Sequence, residues 1–420
     1  MTAIPDSSTL RVPGDKSIAH RVLMLAALAE GTSRLRGLPD GLDVASTRRV
    51  LTGLGVTFRD EDGSVVVEGI GGRFRQPSAP LDCGNSGTTM RLMTGLLATR
   101  PLTVTLDGDD SLRRRPMRRV AAPLAPFGAR IELSERGTAP IVIHGNADAR
   151  GVEAEVALPS AQIKSALLLA ALGAQGRTRV HGALASRDHT ERLFTTFGVP
   201  CAHEDGALIV EGPIVPRAAD VEVPGDFSSA AFLLAAAAAR PGGHVVVDHV
   251  SLNPTRTAFL DVLRRFGAEV TATPDGERAE PLGAIAVRGA ALRATTVDDP
   301  AEIPGLIDEL PLVGVLAMFA QGTTVVRGAH ELRVKESDRI ETFANAARAL
   351  GAQVETFEDG FAVHGPATLH DGAIVTGGDH RIAMAFAVAA RVAGVRATLD
   401  DPECVAVSFP GFAAALEAVR

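Results

Sequence analysis

Residues 225–249 read GDFSSAAFLLAAAAARPGGHVVVDH, and the fold turns on how this stretch is read. A polar cluster, Asp226-Phe227-Ser228-Ser229, opens a run of Ala, Leu and Phe. The run is apolar nearly all round, which predicts a helix buried on every side. Pro241-Gly242 stops it, and the β-branched residues that follow predict a strand. The same order of events recurs five more times. The other copies are KSIAHRVLMLAALAEGTSRLRG from Lys16, GNSGTTMRLMTGLLATRPLTVTLDG from Gly84, PSAQIKSALLLAALGAQGRTRVHG from Pro159, IDELPLVGVLAMFAQGTTVVRG from Ile307 and GDHRIAMAFAVAARVAGVRATLDD from Gly378.

A second element alternates with the first: an amphipathic helix ending at Gly55, Gly128, Gly198, Gly267 or Gly351 and leading into strands. Each Gly suits a left-handed helix C-cap. The longest interval holds 273–304, rich in Pro, Gly and acids, which is expected to be extra loop. The last copy stops at its second helix, FAAALEAVR, while the opening STLRVPG is a strand without a helix. The N-terminal strand is therefore expected to complete the C-terminal half. The α/β (α+β) fold predicted is two similar domains of three repeats each, with buried parallel helices. Their expected bounds are 15–224 for the first and 1–14 plus 225–420 for the second.

Composition narrows the function. The formal net charge of -8 and pI near 5.8 argue against a general nucleic-acid binder. Tyr and Trp are absent, so base-stacking platforms are not expected. Cys83, Cys201 and Cys404 are far apart and odd in number, which excludes a disulfide framework and predicts buried or half-buried thiols. MTAIPDSSTL shows no leader pattern. The apolar run from Ala230 to Ala239 is too short to span a bilayer. A cytoplasmic monomer without metal or organic cofactor is expected.

The helix starts carry the chemistry. Buried helix N-termini present free N–H groups and partial positive charge, which suits anions. Lys16-Ser17 with Arg21, Asn85-Ser86-Gly87-Thr88, Ser160-Ala161-Gln162 with Lys164, Asp308-Glu309 and His380-Arg381 all stand at such starts. Any one of these is explained by ordinary capping. The mixture of cations, amides and acids in an otherwise apolar repeat is not. RRRPM at Arg113–Met117 is a basic loop in which two arginines are expected to face solvent. Lys335, Glu336 and Arg339 are placed at a helix start, where a salt-bridge ladder is the competing reading. No Walker motif and no GxGxxG after a strand is present.

PGDKSIAHR, GNSGTTMR, RRRPM, PSAQIKSA, IDELP, LRVKESDRI and GDHRIAM, in this order, resemble the 5-enolpyruvylshikimate-3-phosphate synthase family over nearly the whole chain. The resemblance implies two domains of three βαβαββ units, an inside-out α/β arrangement closing on ligands in an interdomain cleft. It implies shikimate 3-phosphate held by Lys16, Ser17, Arg21, Ser160, Gln162, Ser186, Arg187, Asp308 and Lys335. It implies phosphoenolpyruvate against Lys16, Asn85, Gly87, Arg115, Gln162, Arg339, His380 and Arg381. Asp308 resembles the family's base and Glu336 its carbon acid, with Lys16 as a third catalytic group.

Two departures stand out: Val407 lies where many relatives have Lys, and Glu331 where some have Asn. The rival enzyme reading is a UDP-N-acetylglucosamine enolpyruvyl transferase, which typically has Lys-Asn near its start and a loop Cys. Here the pair is Lys16-Ser17, and RRRPM lacks a Cys. A non-catalytic six-repeat ring on DNA would need basic helix faces. These helices carry charge at their starts.

Overall fold

The quoted stretch forms a helix at Phe227–Ala238, and all 12 of its residues are buried. Its counterparts are Lys16–Leu28, Gly87–Ala98, Ala161–Ala171, Leu310–Ala317 and His380–Ala393. Five of the six are opened by a side chain accepting from a backbone N–H: Asp15, Ser86, Ser160, Asp226 and Asp379. The fifth in chain order starts instead with Glu309 and an early Pro, after a short helix at Ile303–Leu306. The chain forms a computed structural model that describes residues 9–157, 160–182, 184–276 and 278–420. Most of MTAIPDSSTL, and Pro159 of PSAQIKSA, lie outside the described residues.

The chain divides into two units, Gly14–Val223 and the residues up to Pro13 together with Pro224–Arg420. Each has its own apolar core built from its buried helices and the inner faces of its sheets. The amphipathic helices cover those cores from outside. Ala258–Phe266 buries Phe259, Leu260, Val262, Leu263 and Phe266, the spacing of one helical face. Gly267 follows it at φ +109°, and Gly55, Gly128, Gly198 and Gly351 are also left-handed, as C-caps require.

Among the described residues there are five four-stranded sheets and one two-stranded sheet. In each larger sheet the first two strands are parallel and the rest antiparallel. Leu81–Asp82 runs parallel to Thr103–Asp107, which pairs antiparallel with Ile141–His144, and that pairs with Arg130–Glu132.

One expectation needs correction. The 273–304 stretch is not simply loop, because Leu282–Arg288 is a strand between His244–Ser251 and Glu269–Pro274. Its alternation buries Gly283, Ile285 and Val287, a signal outweighed in composition by the Pro and Gly around it. Thr296–Val297 is also a strand, beside Gly322–Val326. The N-terminal strand Thr9–Leu10 joins the unit running from Pro224, at the fourth copy and not the sixth. It pairs with Val246 and Val247 and opens the sheet of the fourth. Val221–Glu222, which directly precedes that fourth copy, pairs with Leu35 and Arg36 in the first. The sixth copy keeps only Gly372–Ile374 and Ala397–Leu399.

Candidate active site

In the Gly14–Val223 unit, three buried helices start beside one another. Lys16 Nζ lies 2.9 Å from Asp43 Oδ2, in the first turn of the Leu42–Gly53 helix. Arg21 sits one turn after Ser17 and is nearly fully buried. It donates to the Ser17 carbonyl at 2.7 Å, Thr190 Oγ1 at 2.8 Å and Ser165 Oγ at 2.7 Å. These bonds make Arg21 a strut between helices distant in sequence. Arg187 reaches Ser17 Oγ by a long contact of 3.5 Å.

The second start is organised around Gly87. A Cβ there would lie 2.9 Å from Arg91 Nη1 and 3.2 Å from Arg115 Nη1, so two guanidinium groups crowd a bare backbone. Arg115 donates to Asn85 Oδ1, and Asn85 Nδ2 donates to Asp109 at 2.7 Å. Arg115 is buried while Arg113 and Arg114 are exposed, as expected for two of the three arginines. Gln162, from the third start, accepts from Arg91 at 2.7 Å and donates to Thr88 Oγ1 at 2.9 Å. Ser160 caps its own helix.

Behind these groups runs a buried chain of hydrogen bonds. His20 Nδ1 is 2.6 Å from Thr47 Oγ1, Thr47 is 2.7 Å from Thr89 Oγ1, and Thr89 donates to Ser86 Oγ at 2.8 Å. Burial pushes the His20 pKa down to about 3, outweighing the pull of Asp43. The imidazole is therefore neutral at ordinary pH.

The unit running from Pro224 builds a cluster of a different kind. Asp308, at the fifth start, has four cations around it. Arg339 Nη1 stands 3.2 Å away, Arg381 Nη2 3.6 Å, Lys335 Nζ 3.8 Å and Arg256 Nη1 3.9 Å. Arg339 also holds Glu336 at 2.6 Å and Asp379 at 2.8 Å. Burial opposes the charge on Arg339, but Asp379, Glu336 and Asp308 together raise its pKa above the ordinary value. The Asp379 carboxyl is likewise disfavoured by burial, yet Arg339 brings it below the usual range. Arg256 donates to Ser228 Oγ at 2.6 Å, Ser228 bonds Glu309, and Arg381 approaches Glu309 at 3.8 Å. His380 is buried beside Asp379 at the same helix start.

Lys335 and Glu336 do not stand in the helix as read from the sequence. That helix begins at Arg339, capped by Asp338, which accepts from the N–H groups of Ile340 and Glu341. Part of the salt-bridge ladder forms, because Glu336 and Arg339 pair at 2.6 Å, and Arg333 adds pairs to Asp338 at 2.7 Å and Glu341 at 3.6 Å. Asp338 is the stronger cap, and placing the boundary there leaves Lys335 and Glu336 on the preceding turn.

The sequence-predicted groups thus form two assemblies, one in each unit. Ser186 is buried in the first, and its carbonyl accepts from Lys164 at 3.1 Å. Sequence reading missed Asp43, Arg91, Thr190, Arg256 and Asp379 as parts of these assemblies. Two signals were available. A lone cation one turn into an apolar helix marks Arg91 as it marks Arg21 and Lys164. Gly-Asp recurs immediately before the helix at Asp15, Asp226 and Asp379.

Both assemblies suit anionic ligands, since desolvated guanidinium groups and helix N-termini favour carboxylate and phosphate. Among the described residues no group of three or more His, Cys, Asp or Glu is placed to hold a metal ion. No described helix is long and apolar enough to cross a membrane. The free thiols are buried at Cys83 and Cys404 and half-buried at Cys201.

Residues 5–416 match the family model of EPSP synthase (3-phosphoshikimate 1-carboxyvinyltransferase). A protein of Halorhodospira halophila named 3-phosphoshikimate 1-carboxyvinyltransferase is 47% identical, over 96% of this chain and 91% of its own. One of that name from an Anaeromyxobacter species is 48% identical, over 98% and 96%. The solved EPSP synthase of Acinetobacter baumannii superposes with a TM-score of 0.84 at 36% identity, covering 98% of this chain and 95% of that one. On these matches in sequence and in fold, the chain belongs to the EPSP synthase (3-phosphoshikimate 1-carboxyvinyltransferase) family.

Proposed function

We propose that this chain transfers the enolpyruvyl group of phosphoenolpyruvate to the 5-hydroxyl of shikimate 3-phosphate, a step towards chorismate and the aromatic amino acids. In the first stage the 5-hydroxyl adds to C2 of phosphoenolpyruvate, its proton goes to a base, and C3 gains a proton. The tetrahedral intermediate then loses inorganic phosphate from C2 and a proton from C3. That sequence needs one base, one carbon acid and several cations.

The observation that carries the reading is the sharing of Arg339 by Asp308 and Glu336. One fixed guanidinium orients two carboxyl groups, as a separate base and acid require. Asp308 acts as the base and Glu336 as the carbon acid, with Lys16 beside the reacting atoms. Shikimate 3-phosphate is held by Lys16, Ser17, Arg21, Ser160, Gln162, Ser186, Arg187, Asp308 and Lys335. Phosphoenolpyruvate is held by Lys16, Asn85, Gly87, Arg115, Gln162, Arg339, His380 and Arg381. Asp308 and Glu336 belong to the unit running from Pro224, and Lys16, Ser17, Arg21, Ser160, Gln162, Ser186 and Arg187 to the Gly14–Val223 unit.

No metal or organic cofactor enters this scheme. The protein acts as a cytoplasmic monomer without nucleic acid. The test is phosphate release with both substrates and with each omitted in turn. Release that requires shikimate 3-phosphate and phosphoenolpyruvate together is expected. Equal release with UDP-N-acetylglucosamine as acceptor would overturn the reading. Retention on DNA at low salt without turnover would point to the binding-protein alternative.

A further inference from the structure

Lys164 is a cation inside an apolar helix, with its side chain 1% exposed. Taking an ammonium group out of water costs several kcal/mol unless it is well paired, and Leu or Met would fill the same space without that penalty. Its contacts show what the charge does. Nζ lies 2.6 Å from Glu191 Oε1 and donates to the backbone carbonyl of Ser186 at 3.1 Å. Ser186 precedes the His189–Thr196 helix and Glu191 is in that helix's first turn. One ammonium group therefore ties together both ends of the short segment in which Arg187 stands.

The other polar groups of the same helix have further duties. Ser160 caps it, Gln162 bonds Arg91 and Thr88, and Ser165 bonds Arg21. Ser165 also touches this segment, at Thr190 Oγ1 2.7 Å away, but among these Lys164 is the group that bonds both Ser186 and Glu191. A compact ammonium with three donors suits two acceptors in different directions.

We infer that Lys164, with Glu191, is a positioning residue for the shikimate 3-phosphate end of the site, fixing the Ser186–Arg187 segment against the Ala161–Ala171 helix. This rests on the proposed role of that segment in holding the substrate's phosphate. Lys164 itself touches no substrate. Its removal should loosen that end of the site while leaving the chemistry alone.

Methionine at Lys164 alone would strand the half-buried Glu191, so the informative variant is K164M/E191M, which removes both charges. Its KM for shikimate 3-phosphate should rise about tenfold, the scale of one lost hydrogen bond to a charged group. Its kcat and its KM for phosphoenolpyruvate should change less than about threefold, well below the losses that follow removal of an acid or base. Adding R187M to the pair should raise KM little further, because both changes act through one contact. Hydrogen exchange of the amides at 186–190 should be faster in K164M/E191M than in wild type, a readout that needs no turnover.

An unchanged KM for shikimate 3-phosphate, or equal rises for both substrates, would overturn the inference. Unchanged exchange at 186–190 would overturn it as well. If R187M alone left KM unchanged while K164M/E191M raised it, the assignment of Arg187 would fall. The positioning role of Lys164 would then stand through Ser186. A wild-type protein that turned over neither substrate would remove the functional reading, and the exchange result would decide the Lys164 tie by itself.

Discussion

Arg21 and Arg339 are both guanidinium groups sealed inside a unit near a helix start, and they are held in opposite ways. Arg21 is met by the hydroxyls of Thr190 and Ser165 and the carbonyl of Ser17. Arg339 is met by Asp379, Asp308 and Glu336. Around Asp308 the cations Arg256, Lys335, Arg339 and Arg381 are matched by Asp308, Glu309, Glu336 and Asp379. Neutral acceptors leave a cation's field available to a ligand, whereas carboxylates spend it on geometry. The two guanidinium groups are thus held by different chemistry, hydroxyls and a carbonyl at Arg21 and carboxylates at Arg339.

The largest effects should come from the carboxylate-rich cluster. D308A and E336A are each expected to lower kcat roughly 10²-fold or more, the scale of lost acid–base catalysis, with smaller changes in affinity for shikimate 3-phosphate. Steady-state kinetics at saturating phosphoenolpyruvate measures both. A near-normal kcat in either variant would reduce that residue to a structural partner of Arg339.

Stability separates the two arginines next. R339M strands buried carboxylates and should cost about 3–5 kcal/mol. R21M leaves hydroxyls that can satisfy each other, since Ser165 and Thr190 already lie 2.7 Å apart, and should cost about 1–3 kcal/mol. Urea unfolding decides. Equal losses would break the comparison.

Acid should find the first unit sooner. His20 has its folded pKa depressed to about 3 by burial. The unfolded chain therefore binds a proton that the folded chain refuses, and stability is lost as pH falls below about 6.5. Between pH 7 and 4.5 this amounts to roughly 2–3 kcal/mol, and H20Q should lack that part of the slope. Asp379 works in a lower window. Its depressed pKa contributes stability above the ordinary carboxyl value and loses it only as pH falls through the lower folded value. Hydrogen exchange at pH 4.5 should accordingly loosen the Lys16–Leu28 helix before the His380–Ala393 helix.

The smallest effect probes packing. A Cβ on Gly95 would overlap the carbonyl of Ala166 in the facing helix, so G95A should cost about 1–3 kcal/mol by overpacking. Thermal unfolding would show it, and a neutral result would mean that these helices can separate freely.

What could be read beforehand depended on range. Apolar runs, glycine C-caps and β-branched strands are local, and they place the helices and most strands. The strand at Leu282–Arg288 was hidden by the Pro and Gly flanking it, although its alternation of apolar residues was present. The boundary at Asp338 was also legible, since Asp338 and Glu341 have capping-box spacing. The partners of the helix starts were not legible. Arg21 meets residues more than a hundred positions away, and nothing in the sequence near Arg21 names Thr190 or Ser165. Arg256 lies outside the apolar helices, so the repeat gave no reason to bring it to Asp308.

The exchange of first strands also sets a timetable for synthesis. Thr9–Leu10 leaves the ribosome before any of the Gly14–Val223 unit, yet its partners Val246 and Val247 follow more than two hundred residues later. At about 5–20 residues per second that is a wait of roughly 10–50 s. During it the intervening unit can close around its own sheet strand at Val221–Glu222. Thr9 and Leu10 must wait for Val246 and Val247 while the Gly14–Val223 unit is made, and they then open a sheet of the unit running from Pro224. Shortening the chain at its beginning should therefore weaken its end.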